Sequence, residues 1–148
     1  MKAFVLLVLI VSFAGCGFGR KSGKARFAKS CDIEFPSDIK VVRDDMQSNG
    51  PDFSLFYDLK LDEESCAALT RSIRSSAYYC RDTAITLVNK TATLQMWEPA
   101  YMDTLGMKAL WMKTPTGYRF KSQVKNGHEF TAEMDTLKMT AAFCEGLD

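Results

Sequence analysis

Histidine occurs once in the 148 residues, as His128, and proline only four times. One histidine excludes metal sites built on several imidazoles. The chain also lacks His-Glu-x-x-His, Gly-x-Ser-x-Gly, Cys-x-x-Cys, a phosphate loop and the dinucleotide-binding glycine pattern. Carboxylate doublets occur at Asp44-Asp45 and Glu63-Glu64. Adjacent residues do not converge on one substrate, whereas acid–base work needs carboxylates facing each other across a cleft. The reading is therefore of a protein that is not an enzyme, with no catalytic residues, no cofactor and no metal ligands. A basic surplus is missing too. The formal net charge is +1, and six of the nineteen basic residues fall among the first thirty, which hold no acid. From Cys31 onward, 13 basic residues face 18 acidic ones. A mildly acidic domain offers nucleic acid no binding patch.

What is present begins with the N-terminus. Lys2 is followed by an unbroken apolar run, Ala3 to Ala14, and by the small residues Ala14-Gly15 directly before Cys16. This is the three-part layout of an export signal. As a helix, the run of twelve would reach about 18 Å, too short for a bilayer that needs about 20 residues. The segment Phe13-Ala14-Gly15-Cys16 resembles the lipobox of bacterial lipoproteins, with Phe13 where the family usually has Leu. That resemblance implies a signal peptide over 1–15, cleavage before Cys16 and lipidation of Cys16. Gly17 follows where Asp would mark retention at the inner membrane. The resemblance thus implies the outer membrane of a bacterial envelope, with the protein facing the periplasm.

Residues 16–30 read as a lipid-anchored basic tether. The stretch 17–30 holds three Gly, two Ser and five basic residues, with no apolar period. The remaining 118 residues, 31–148, show no repeat or low-complexity segment and suit one domain by length.

Within that domain the fold class expected is α+β: an antiparallel sheet of about four to six strands, one main helix packed on it, and two disulfides. Asp38 to Arg43 reads as a strand and Asp44 to Asp52 as a turn. Phe53 to Leu61 alternates, with Phe53, Leu55, Tyr57, Leu59 and Leu61 on one face. Asp62 then suits a helix N-cap, with Glu63 and Glu64 at the positive end of the dipole. The helix is expected over about 63–79, with Cys66, Leu69, Ile73 and Ala77 on its apolar stripe. Thr83 to Val88 reads as a further strand, and Tyr118 to Val124 as another, closed by the turn pair Asn126-Gly127. In the long return run His128 to Cys144 the alternation shifts by one near Asp135, which a bulge or break would absorb.

Five cysteines are an odd number, and giving Cys16 to the lipid leaves Cys31, Cys66, Cys80 and Cys144. Cys66 and Cys80 would stand about 21 Å apart on a straight helix, against the 4.4–6.8 Å Cα separation of a disulfide. An antiparallel pairing of the first two strands would bring Cys31 to the helix start. The expected pairs are therefore Cys31 with Cys66 and Cys80 with Cys144.

The segment Leu94 to Met112 concentrates both tryptophans and four methionines. Side chains of these types fill irregular gaps and are also favoured at interfaces. Met96, Trp97, Tyr101, Met107 and Trp111 are accordingly the candidate partner-binding residues. Together these observations indicate a lipid-anchored envelope protein that acts by protein binding, either neutralising a toxin or inhibitor or assisting an envelope assembly. The alternatives are a structural or cell-wall-contacting lipoprotein and, further behind, a periplasmic hydrolase. The mature part is similar to small uncharacterised lipoproteins of Gram-negative bacteria that pair a Pro-led first strand with a long C-terminal strand.

Overall fold

The computed structural model describes residues 23–49, 52–81, 108–123 and 127–147. In chain order they form α1 (Gly23–Cys31), β1 (Lys40–Asn49), β2 (Asp52–Lys60), α2 (Glu63–Ser75), β3 (Ala109–Lys113), β4 (Gly117–Ser122), β5 (His128–Asp135) and β6 (Thr140–Leu147). The six strands build one sheet in the order β1-β2-β6-β5-β4-β3, with every neighbouring pair antiparallel. The α+β class is as expected, with two helices among the described residues.

Both helices lie on one face. Leu55, Tyr57 and Leu59 of β2, Ala141 and Phe143 of β6, Ala132 and Met134 of β5, and Tyr118 and Phe120 of β4 point into a single apolar cluster with Phe27, Leu69 and Ile73 of the helices. In α1, Gly23, Phe27 and Cys31 are buried at a spacing of four, so one face of a short helix is inserted. The 16–30 tether is thereby corrected: residues from Gly23 on are helical and packed. Phe27 is fully buried, with its ring 5.5 Å from Phe143 and 6.2 Å from both Tyr57 and Phe130.

Asp62 caps α2 as expected, accepting from the Ser65 amide at 2.8 Å. The helix ends at Ser75, four residues earlier than the sequence period implies, because tertiary bonds claim residues 76–80. Asp32 Oδ2 accepts from the Ala77 amide at 2.7 Å and from the Ser76 hydroxyl at 3.1 Å. Tyr78 and Cys80 exchange backbone bonds with Trp111. In β1, the expected turn at 44–49 is strand instead. Its residues pair with β2 as far as Asn49 opposite Asp52, and Val42 is the extra residue of a bulge between Val41 and Arg43. The phase shift near Asp135 is a tight turn between β5 and β6. Asp135 Oδ1 accepts from the amides of Leu137 and Lys138 at 2.9 and 2.8 Å, and Met139 takes a positive φ of 52°. The expected strand at 83–88 lies outside the described residues.

The two disulfides are not formed: Cys31, Cys66, Cys80 and Cys144 are free. Topology explains both failures. Residues 32–38 run back along α2, since Asp32 meets Ser76 and Ala77, the Glu34 amide donates to Ser72 Oγ, and the Ser65 hydroxyl donates to the Asp38 carbonyl. Cys31 thus starts at the C-terminal end of α2, about 15 Å of helix away from Cys66. Cys80 adjoins β3, whereas Cys144 is in β6, three strands or about 14 Å across the sheet. Cys144 also points to the face opposite Phe143, away from the helices.

Two outcomes test this packing. Phe27→Ala should cost about 3–5 kcal/mol in urea denaturation, because a fully enclosed ring is removed from between three aromatic neighbours. Asp62 and Asp135 are held below the ordinary carboxylate range, first by the backbone amides of Ser65 and Lys138 respectively. Their contribution is complete above that range and lost as pH falls through the lowered folded values. Asp62→Asn should therefore flatten the acid limb of a stability-versus-pH curve.

Candidate functional site

Alternation along β6 sends Phe143 and Glu145 to the helix side, so a carboxylate follows an aromatic ring into the interior. Glu145 is 0% exposed. Ionised carboxylates are rarely enclosed unless paired, and here two elements supply partners. Arg26 on α1 donates through Nη2 to Oε1 and sets Nε in ion-pair contact with Oε2, which accepts no hydrogen bond. His128, at the start of β5, places Nδ1 2.8 Å from Oε1. Phe53 of β2 closes the cluster, with its ring 5.7 Å from the imidazole and 5.9 Å from the guanidinium carbon. The only histidine is thus a carboxylate partner, where the sequence position beside a turn suggests a solvated side chain. A histidine–carboxylate pair is the orienting half of an acid–base relay. Here an arginine and a phenylalanine share its surroundings, and the arrangement works as a brace that ties α1, β5 and β6 together.

The candidate partner-binding residues fare unevenly. Met96, Trp97, Tyr101 and Met107 lie outside the described residues, as does Cys16. Trp111 is corrected from an interface residue to a core residue. It is fully buried on β3, packs on Phe120 at 5.0 Å, and its Nε1 donates to the Cys31 carbonyl at 2.8 Å. Its indole locks the end of α1 to the sheet. Among the described residues, no group of three or more His, Cys, Asp or Glu side chains is placed to hold a metal ion.

Two surface depressions stand out among the described residues. A groove of about 730 Å³ runs between α2 and the segment after α1, lined by Ala28, Lys29, Asp32, Phe35, Ala68 and Arg71 among others. A second, about 470 Å³, lies on the face opposite the helices around Phe56, Arg119, Lys121, Thr131 and Cys144. Burial raises the Cys144 thiol above its ordinary range. Both grooves are open to solvent, unlike the enclosed pockets that bury most of a small ligand.

The sheet's edges differ more sharply. Along β3, Tyr79 forms a parallel bridge to Trp111, with the Trp111 amide donating to the Tyr78 carbonyl and the Cys80 amide to the Trp111 carbonyl. Along β1, no strand pairs with the outer edge among the described residues. Of the four large apolar side chains exposed among the described residues, three lie on β1: Val41 at 46%, Val42 at 65% and Met46 at 52%. On the far face, Arg43 stacks over Phe56 at 3.8 Å and pairs with Asp45 at 2.6 Å. Sequence reasoning missed the edge because Asp44 to Asn49 has the composition of a turn. The one available signal was the Val41-Val42 pair beside Met46.

No family model matches this chain, and neither does any curated protein or solved structure.

The brace makes an asymmetric prediction. Arg26 is 38% exposed and can reach water if Glu145 is replaced, whereas Glu145 has no route to solvent. Arg26→Ala should therefore cost about 3 kcal/mol in denaturant unfolding, and Glu145→Gln clearly less. The double variant should recover part of the Arg26→Ala loss, as a double-mutant cycle will show.

Proposed function

We propose that this protein is a lipid-anchored component of a bacterial envelope that acts by binding protein through the outer edge of β1. The observation that carries the reading is the edge itself: β1 is the outermost strand of the sheet among the described residues, and its Val41, Val42 and Met46 side chains are exposed and apolar. Exposed strand edges template the addition of another strand, main chain supplying affinity and alternate side chains specificity. The lipobox-like Phe13-Ala14-Gly15-Cys16 supports the anchor, and with it the view that the partner meets this protein at a membrane. The partner's identity decides whether the binding neutralises a toxin or inhibitor, or assists an assembly.

Two results are expected with the full-length chain. Cys16→Ser should move it from the membrane fraction to the soluble fraction. Capture of the tagged protein from detergent-solubilised membranes should recover a stoichiometric protein partner, reduced at least tenfold by Met46→Lys while circular dichroism stays unchanged. Equal recovery with Met46→Lys would reject β1 as the docking element.

A further inference from the structure

We infer that the strand received by the β1 edge is β1 of a second copy of this chain, so that the working unit is a membrane-bound dimer with one continuous sheet. The inference rests on reading β1 as the docking edge and adds the identity of the partner. The first support is the residue pattern. Residues directly opposite in an antiparallel pair share a face, and like charges there are destabilising. Asp44, Met46 and Ser48 share the helix face, paired with Tyr57, Leu55 and Phe53, while Arg43, Asp45 and Gln47 share the other, paired with Asp58, Phe56 and Ser54. A two-fold axis at Arg43, Asp44 or Asp45 would set that residue against its own charge. An axis at Met46 sets Met46 on Met46, Asp45 opposite Gln47 and Asp44 opposite Ser48, with position 43 in register with position 49. Both acidic residues then face neutral polar ones, and the exposed apolar side chain meets its own copy. The bulge at Val42 limits the ladder to this regular stretch, residues 43–49.

The second support is where the chain enters the fold. Gly23 lies on the helix face against Asp44 and Tyr57, so close that a Cβ there would stand 2.8 Å from Asp44 Oδ1. Asp44 is two residues from the proposed axis. A two-fold normal to the sheet keeps both helix layers on one side, so both copies of α1 begin near the axis on the same face. Two anchors, each seven residues before Gly23, can then enter the same membrane. A seven-residue ladder buries little area by itself, and anchoring on a shared surface supplies the effective concentration that lets it form.

The test places a benzophenone amino acid at Gln47 of the full-length protein in its native membrane and irradiates. The expected product is a species of twice the chain mass, with the adduct on residues 43–49 of the second copy. Met46→Lys in the same background should reduce it at least tenfold, and co-expression of Met46→Lys with Met46→Glu chains should restore it. An adduct to a different protein overturns the second-copy inference and leaves the docking-edge reading standing. An adduct elsewhere on the second copy, or a Lys–Glu mixture without recovery, overturns the proposed pairing. No adduct at all overturns both the inference and the docking-edge reading.

Discussion

Insertion of Phe27 into the aromatic layer of the sheet is the contact on which the remaining geometry depends. Its ring lies within 6.2 Å of Tyr57, Phe130 and Phe143, which belong to three different adjacent strands. A nine-residue helix is marginal in water by itself, so α1 is held by what it buries. With Phe27 fixed, its neighbour Arg26 is carried to Glu145, and Cys31 one turn further is carried to the Trp111 indole. The helix start is left beside Asp44 on β1. One apolar insertion therefore sets the ion cluster, the tie to β3 and the place where the N-terminal segment joins the domain.

The sheet that results is unequal in both directions. One face carries the helices. One edge is closed by residues 78–80, while the other presents β1. Natural edges are commonly blunted by bulges and charges, and β1 has both, in Val42 and in the run Arg43-Asp44-Asp45. Those devices also select. The bulge limits how far a partner strand can pair, and the charges admit a strand only in registers where they meet neutral or opposite groups. An edge so marked disfavours indiscriminate strand pairing.

Where the sequence was legible, a strong local signal coincided with the tertiary environment. The alternation of Leu55, Tyr57 and Leu59 predicts the buried face of β2, and Asp62 predicts the start of α2. Legibility failed where burial uses residues that carry no hydrophobic signal. The inserted face of α1 is Gly23, Phe27 and Cys31. With one large apolar residue in nine, such a face shows no period against a basic background. The second half of β1 is built from Asp, Gln, Ser and Asn, whose preference for turns is overruled by pairing with β2. Glu145 was hidden for the opposite reason, since no local rule anticipates a carboxylate on an inward strand position. Its partners come from positions 26 and 128, far away in sequence. Trp111 could be recognised as important by type, but only the fold separates a core tryptophan from an interface one.

The cysteines show how the fold replaces a covalent device with a packed one. An odd count favours a lipid on Cys16 only if the other four are paired, and in this fold they are free. The proposed anchor therefore rests on the apolar run and the residues around Cys16, and parity adds nothing to it. A free thiol reacts through its thiolate. At Cys31, Cys66 and Cys144 the fold counters that reactivity without a bond. Cys31 is fully enclosed at the end of α1, and burial drives its thiol, like those of Cys66 and Cys144, upward from the ordinary range. Burial and separation do what pairing was expected to do. Cys31 and Cys66 are held at opposite ends of α2, Cys144 lies on the far side of the sheet, and the domain is stabilised by its aromatic layer and its buried ion cluster instead of by crosslinks.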